Sequence, residues 1–181
     1  AIEFSTAEVA AVVEGRRGKP DAALFAGSGG STPSPIYARL AQADLDWTKV
    51  TATLVDERYV PEASPASNAA LLKQTLLTGP AAAVRFIPLY SPAVTVDRAA
   101  ALASQALAAE GRPLDAVLLG MGEDGHICSM FPGSPTLTTL LTPSLKPAVY
   151  GVPAGRDGAA PPQERLTLNL PWLVSARCVV L

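Results

Sequence analysis

The chain has 181 residues, with 14 Lys and Arg against 16 Asp and Glu, so its formal charge is −2. Hydrophobic residues make up 49% of it and charged residues 17%, which excludes a disordered chain, and the near-neutral balance argues against nucleic-acid binding. No uncharged apolar run is long enough for a membrane span, and the first residues lack the layout of a signal peptide. We therefore expect one domain over residues 1–181, located in the cytoplasm.

Short apolar runs alternate with stretches of helical periodicity along the chain. The apolar runs predict strands at residues 22–26, 50–55, 84–90, 114–121, 148–152, 165–169 and 178–181. Helices are predicted at residues 33–42, 69–77 and 97–110, with a short one near Trp172. Apolar strands separated by helices are typical of a parallel sheet covered on both faces. The predicted fold class is α/β, a single-domain, mostly parallel sheet with helices on both faces.

Three polar segments, which we predict to be loops, follow strands of this predicted sheet at residues 27–33, 56–58 and 120–126. Ligands in such folds bind beyond the carboxyl ends of the strands. If the sheet is parallel, the three segments lie along the same edge. They contain the candidate functional residues.

The first segment has the composition of an anion-binding loop. Three glycines within residues 27–30 let backbone N–H groups approach a ligand, and the N-terminus of the following helix favours phosphate. Ser31 or Thr32 is expected to cap that helix, with Pro33 in its first position. A tight turn with ordinary capping is the alternative. The segment is not a P-loop, because the required Gly-Lys-[Ser/Thr] is missing.

A second interpretation of this segment is a nucleophile elbow, Gly-x-Ser-x-Gly, with Ser28 as the nucleophile. The order Ser28, aspartate, His126 permits a catalytic triad. However, Ala26 stands where the elbow needs its first glycine. This serine-hydrolase interpretation is therefore disfavoured.

The second segment, Asp56-Glu57-Arg58, places two carboxylates and a guanidinium at the end of a strand. A surface ion pair is the common structural role of such a triplet, and it contributes little stability. As a functional alternative, Arg58 can bind a phosphate or carboxylate through two parallel hydrogen bonds. Asp56 or Glu57 can hold that arginine or a substrate hydroxyl. Alone, the triplet decides neither role.

The third segment contains the only histidine, His126, two residues after Asp124. Its glycines also match the dinucleotide pattern Gly-x-Gly-x-x-Gly, but Glu123 and Asp124 would face a pyrophosphate with negative charge. Histidine is suited to proton transfer near neutral pH, and a neighbouring carboxylate can fix its tautomer. The alternative is a structural histidine. One histidine with Cys128 and Cys178 supplies too few ligands for a metal site.

Taken together, these segments resemble the 6-phosphogluconolactonase family. The matching segments occur in family order and are Gly29-Gly-Ser-Thr-Pro33, Asp56-Glu-Arg58, Ser67-Asn68, Gly120-Met-Gly-Glu-Asp-Gly-His126-Ile-Cys-Ser129-Met-Phe-Pro132 and Arg165-Leu-Thr167. The long glycine–histidine string is the specific one. The resemblance implies a fold similar to that of glucosamine-6-phosphate deaminases.

The resemblance also implies an activity, the hydrolysis of 6-phospho-D-glucono-1,5-lactone to 6-phospho-D-gluconate in the pentose phosphate pathway, without cofactor or metal. His126 would activate water and Asp124 would orient its imidazole. The substrate and its phosphate would be held by Gly29, Gly30, Ser31, Thr32, Asp56, Arg58, Gly122 and Arg165. The expected partner is this small molecule, with no nucleic acid and no membrane, and the expected state is a monomer or weak homo-oligomer.

Two alternatives stay open beside the lactonase. The deaminases resemble Asp-Glu-Tyr where this chain has Asp56-Glu-Arg58, and they carry an acid after the histidine where this chain has Ser129-Met-Phe-Pro132. The missing acid favours the lactonase. A non-catalytic sugar-phosphate-binding domain is the other alternative.

The sequence departs from the family pattern at two places. Arg156 is the only basic residue near the position where family members often have a lysine before Arg-x-Thr. The family continues beyond the strand in which this chain ends, so a C-terminal truncation is expected.

Overall fold

The computed structural model describes residues 2–15, 23–93 and 95–181. The helices are α1 (Ile2–Glu14), α2 (Ser34–Leu40), α3 (Asn68–Thr75), α4 (Val96–Ala108), α5 (Leu137–Leu140) and α6 (Leu170–Val174). The strands are β1 (Ala23–Gly27), β2 (Val50–Leu54), β3 (Asp56–Arg58), β4 (Arg85–Phe86), β5 (Ala116–Leu118), β6 (Val149–Val152), β7 (Arg165–Leu168) and β8 (Cys178–Val180).

Five strands form a parallel sheet in the order β4-β2-β1-β5-β8. Every residue of β1, β2 and β5 is buried. The apolar runs of β1 and β5 predict this, whereas β2 also buries Thr51 and Thr53. Helix α1 packs against β5, β8 and α2, and α2 packs against α3. The predicted fold class, an α/β domain with a mostly parallel sheet and flanking helices, is confirmed.

A second, antiparallel sheet has the order β3-β7-β6 and packs against α4. Strands β6 and β7 were predicted as strands of the mostly parallel sheet, but they pair antiparallel in this separate sheet, because an apolar run does not indicate its partner. Residues 56–58 are a strand, so their prediction as a polar loop after β2 is wrong. The reason is a partner distant in the chain, because β3 pairs in register with β7.

Only one residue, Val55, lies between β2 of the parallel sheet and β3 of the antiparallel sheet. Its N–H donates to the Gly27 carbonyl at the end of β1, and its carbonyl accepts from Leu168 N in β7, both at 2.9 Å. The chain therefore passes from β2 to β3 without a loop. This connection holds the carboxyl end of the parallel sheet against the antiparallel sheet.

Several element bounds differ from the predictions. Helix α2 begins at Ser34, and neither Ser31 nor Thr32 caps it, because its N-cap is Pro33, which makes no side-chain bond. The strand predicted at 84–90 is reduced to Arg85–Phe86, because β4 pairs only with two residues of β2. Helices α1 and α5 were not predicted. Residue 22 of the first predicted strand lies outside the described residues.

Among the described residues, no helix is both long enough and apolar enough to cross a membrane.

Candidate active site

A cleft of about 270 Å³ lies at the carboxyl edge of the parallel sheet. All three polar segments contribute to it. The lining residues are Ser28, Gly29, Gly30, Ser31, Thr32, Pro33, Asp56, Arg58, Asn68, Gly120, Met121, Gly122, His126, Cys128 and Arg165. The structure thus brings nine of the ten predicted site residues to one cleft. The tenth, Asp124, does not line the cleft and contacts His126 instead.

Residues 120–126, which we call the histidine loop, follow β5 in a tight turn. Gly122 N donates to the His126 carbonyl at 2.8 Å, and Gly125 N donates to the Gly122 carbonyl at 2.9 Å. Gly125 has φ +82°, a backbone conformation that glycine adopts at little cost. The turn returns the chain so that His126 lies beside Gly122.

Asp124 holds the imidazole of His126. Its Oδ1 is 2.5 Å from His126 Nδ1 and also accepts from His126 N at 3.2 Å. The hydrogen bond from the imidazole holds the pKa of Asp124 below its ordinary value. A carboxylate at Nδ1 favours the tautomer with the proton on that nitrogen, which leaves Nε2 to accept a proton. The ring also packs on Phe131, with 4.2 Å between ring centroids.

Gly122 is required by this packing. A Cβ at this position would overlap the His126 imidazole and the Asp124 carboxylate. Any larger residue would therefore displace the pair.

Arg58 and Arg165, which we call the arginine pair, stand directly opposite each other on β3 and β7. Arg58 Nη1 donates to the Ala66 carbonyl at 2.7 Å, and Arg165 Nη1 lies 3.9 Å from Asp56 Oδ2. The Nε atoms of both arginines are buried and have no hydrogen-bond partner within the described ranges. Burial, and secondly the charge of Arg58, lower the pKa of Arg165. Two like charges opposed in this way favour an anion between them, and guanidinium groups suit the oxygens of a phosphate.

Glu57 points away from the cleft because side chains alternate along a strand. Its fully buried carboxylate accepts hydrogen bonds at 2.7 Å from the backbone N–H groups of Arg58, Asn68 and Ala69, and from Ser67 Oγ at 3.0 Å. Burial raises its pKa. Glu57 therefore fastens the start of α3 to β3.

Asp56 is also buried, and its Oδ2 accepts from Ser129 Oγ at 2.7 Å. The prediction of a surface ion pair for residues 56–58 is therefore wrong, because both carboxylates are buried. A substrate-holding role for Glu57 is also wrong, because its carboxylate is occupied by the start of α3. Of the two carboxylates, Asp56 is the one that lines the cleft.

Residues 28–33, which we call the glycine loop, follow β1. Tyr37 Oη donates to the Ser28 carbonyl at 2.6 Å, and burial raises the pKa of this tyrosine. Gly30 has φ +100°, while Ser31 and Thr32 are exposed at the cleft. Ser28 Oγ is buried and has no hydrogen-bond partner in the described part of the chain, so no base contacts it as a nucleophile elbow would need.

Six further residues line the cleft without having been predicted as substrate contacts: Ser28, Pro33, Asn68, Gly120, Met121 and Cys128. Asn68 belongs to the matching segment Ser67-Asn68, but its place at a helix start indicated only a cap. Cys128 has φ +53°, and burial, with a smaller effect of Asp56, raises the pKa of its thiol. A thiol of this kind is a poor nucleophile.

Across residues 2–15, 23–93 and 95–181, no three His, Cys, Asp or Glu side chains are grouped to hold a metal ion. The charged groups that the cleft offers to a ligand are the two guanidiniums and the Asp56 carboxylate.

Comparisons with known proteins agree with the motifs. A family model described as glucosamine-6-phosphate isomerases/6-phosphogluconolactonase matches residues 3–181. The 6-phosphogluconolactonase of Rhizobium meliloti is 46% identical over 159 residues, which are 88% of this chain and 67% of that protein. The 6-phosphogluconolactonase of Pseudomonas aeruginosa is 40% identical over 177 residues, which are 97% of this chain and 72% of that protein.

Solved structures show the same likeness. A crystal structure of a 6-phosphogluconolactonase from Shewanella baltica has a TM-score of 0.87 and 31% identity, over 98% of this chain and 74% of that one. The 6-phosphogluconolactonase of Trypanosoma brucei has a TM-score of 0.79 and 27% identity, over 98% and 75%. The chain spans about two thirds of the length of the curated relatives it matches. It belongs to the glucosamine-6-phosphate isomerase/6-phosphogluconolactonase family, as its motifs predicted.

Proposed function

We propose that this chain carries the site of a 6-phosphogluconolactonase, which hydrolyses 6-phospho-D-glucono-1,5-lactone to 6-phospho-D-gluconate in the pentose phosphate pathway. One observation carries the proposal: a histidine held by a carboxylate and a pair of opposed guanidiniums open onto the same cleft. This combination suits a cyclic ester whose phosphate is remote from its reacting carbonyl. The names of the relatives support the same substrate.

His126 is the general base in this proposal. Its Nε2 takes a proton from water as the water oxygen attacks the lactone carbonyl, and a tetrahedral oxyanion forms. The bond between the carbonyl carbon and the ring oxygen then breaks, and the ring oxygen takes the proton back from His126. The products are a hydroxyl group and a carboxylic acid, which loses its proton to solvent.

Asp124 is the positioning partner of this base. Its lowered pKa keeps it ionised while the imidazole gains and loses a proton, so its charge stabilises the imidazolium form. The N–H groups of Gly122 and Gly125 already donate within the histidine loop. Stabilisation of the oxyanion is therefore assigned to the glycine loop, at Gly29 and Gly30.

The phosphate is held by the arginine pair in this proposal. Each guanidinium has a buried Nε without a partner in the ranges described, and an anion between the two would use these donors and cancel the repulsion. Ser31 and Thr32 lie exposed at the cleft, where their hydroxyls can donate to the same phosphate or to a sugar hydroxyl.

The test is the hydrolysis rate of freshly prepared lactone, corrected for spontaneous ring opening. His126→Ala should lower kcat by about 10²–10⁴-fold, the usual contribution of a general base, and Asp124→Asn should lower it by roughly tenfold. Glu123→Gln is the matched control, because it removes the exposed carboxylate next to Asp124 in the same loop and should leave kcat unchanged.

Equal rates for wild type and His126→Ala would remove His126 from the chemistry. Ammonia release from glucosamine-6-phosphate, without lactone hydrolysis, would assign the chain to the other activity named for its family. Tight binding of 6-phosphogluconate without acceleration of either reaction would leave a binding domain.

We further propose that residues 1–181 act as one domain in the cytoplasm, as a monomer or weak homo-oligomer. A phosphorylated sugar substrate and two free thiols, Cys128 and Cys178, support the compartment. Sedimentation of the purified chain over a range of concentrations tests the oligomeric state.

A further inference from the structure

Asn68 offers the cleft a buried, uncharged oxygen that can only accept a hydrogen bond, whereas the Ser28 hydroxyl, which also has no partner among the described residues, can donate as well. Its side chain is 3% exposed and lines the cleft, and its Oδ1 has no hydrogen-bond partner among the described residues. An unsatisfied polar atom of this kind is costly unless a ligand or water pairs with it.

The orientation of the Asn68 amide is fixed by its neighbour. Nδ2 donates to the Asp56 carbonyl at 2.9 Å and lies 3.4 Å from Asp56 Oδ1. If the amide were turned over, Oδ1 would face two oxygens that cannot donate to it. The arrangement therefore directs the acceptor, and not the donor, away from Asp56.

The amide is also held against the glycine loop. A Cβ at Gly29 would overlap the Asn68 side chain, so the absence of a side chain at Gly29 leaves the amide its space. The backbone N–H of Asn68 donates to the buried carboxylate of Glu57. Asn68 is thus held in position by Asp56, Gly29 and Glu57. A side chain held in this way can select a ligand group by a hydrogen bond, because little conformational freedom is lost on binding.

A second buried asparagine shows what a purely structural amide looks like in this fold. Asn169 is the N-cap of α6 and is fully buried, and its Oδ1 accepts from Ala148 N at 3.0 Å while its Nδ2 donates to the Lys146 carbonyl at 2.9 Å. Both of its amide atoms are used within the protein. Asn68 uses only its donor, although it too stands at a helix start.

We infer that Asn68 is a specificity-determining residue, whose Oδ1 accepts a hydrogen bond from one ring hydroxyl of the lactone. The inference rests on the proposed function and deepens it. A carbonyl oxygen accepts a hydrogen bond from a hydroxyl, but it forms none with a hydrogen atom or a methyl group at the same position of the substrate. The site should therefore reject the lactone that lacks this hydroxyl, because Oδ1 would then stay buried without a partner.

The experiment measures kcat/KM on 6-phosphogluconolactone and on its 2-deoxy, 3-deoxy and 4-deoxy analogues, with wild type, Asn68→Ala and Asn169→Ala. For one of the three analogues, wild type should lose about tenfold or more, as expected for one lost hydrogen bond in a buried site. Asn68→Ala should have a kcat/KM on the full substrate that is lower than that of wild type by a similar factor. Its kcat/KM on that analogue should be no lower than on the full substrate. Asn169→Ala should lower the melting temperature and keep the wild-type discrimination.

The inference is overturned if Asn68→Ala lowers kcat/KM, relative to wild type, by the same factor on all four lactones. This is the effect expected of a structural residue. If Asn68→Ala does not fold, Asn68→Ser, which suits a helix start, is measured in the same way. Failure of the proposed function is a different result, because wild type itself would then hydrolyse none of the lactones.

Discussion

In the histidine loop, His126 and Asp124 meet through contacts made within residues 120–126, and the Asp124 side chain is 44% exposed. The arginine pair is built from β3 and β7, strands far apart in the chain, and the Arg165 side chain is only 12% exposed. The same cleft therefore joins the proposed base, which is formed locally and faces water, to the proposed anion site, which is fixed by a sheet.

The difference indicates how the fold supports two tasks, proton transfer by the histidine loop and anion binding by the arginine pair, in the function that we propose. Proton transfer needs a histidine that water can reach, and a short turn with one carboxylate is sufficient to orient it. Holding two like charges near each other needs a rigid backbone, which the antiparallel pairing of β3 with β7 supplies. Variants that disturb one region and spare the other can test this division.

Of the variants that test this division, Gly122→Ala should have the largest effect, and it disturbs the histidine loop alone. Its Cβ would overlap the imidazole and the Asp124 carboxylate, so kcat should fall by about 10²-fold, as for a displaced catalytic group. Binding of 6-phosphogluconate, which we assign to the arginine pair, should change little. Steady-state kinetics and calorimetric titration of the product measure the two effects.

Gly111→Ala is the matched control for that variant. Gly111 has φ +64° and open space around its Cβ position, and it does not line the cleft. The substitution should cost about 1 kcal/mol of stability through backbone strain and leave kcat unchanged. A normal kcat for Gly122→Ala would mean that the loop is not as rigid as its contacts indicate.

The next effect is expected from Arg58→Ala and Arg165→Ala, which disturb the arginine pair and spare the base. Each should raise KM for 6-phosphogluconolactone by about 10–100-fold, the loss of one hydrogen-bonded contact with a charged group. Both should leave kcat/KM for the unphosphorylated lactone, D-glucono-1,5-lactone, close to that of wild type. An equal loss on both lactones would contradict a phosphate role for the pair.

The smallest effect is expected from Glu57→Gln, which weakens the support behind the arginine pair. The amide nitrogen cannot accept from Ala69 N and Ser67 Oγ, so the free energy of unfolding should fall by about 1–3 kcal/mol. Glu62→Gln is the control, because the exposed pair of Glu62 with Lys73 should contribute less than about 1 kcal/mol. Urea unfolding at neutral pH measures both.

Glu57 also predicts a pH dependence of stability. Burial raises its pKa, so the folded chain holds this proton more tightly than the unfolded chain does. The free energy of unfolding of wild type should therefore decrease as the pH rises from the ordinary glutamate pKa through the raised one. Glu57→Gln has no such proton and should lack this decrease. Equal pH profiles from about pH 4 to pH 8 would contradict the raised pKa.

The sequence predicted best where the contacts are local. The hydrogen bond between Asp124 and His126 spans two residues, and the glycines around it indicate a turn, so the pair could be proposed from the sequence. The buried strands β1 and β5 were predicted for a related reason, since each lies within a short apolar run of the sequence.

The sequence predicted least where the partner is distant in the chain. Residues 56–58 are polar and were assigned to a loop, because only their pairing with β7 makes them a strand. The role of Glu57 depends on its distance from the start of α3, and the free acceptor of Asn68 depends on where the Asp56 carbonyl points. Local propensity contains no information about such contacts.

The connection through Val55 has a consequence for the charge of the cleft. Because only one residue joins β2 to β3, the alternation of side chains along β3 is fixed relative to the parallel sheet, with Asp56 and Arg58 toward the cleft and Glu57 away from it. One inserted residue at this point would reverse that alternation. It would turn Glu57 into the cleft and both Asp56 and Arg58 out of it, so the length of this connection decides whether two guanidiniums or only one can face an anion there.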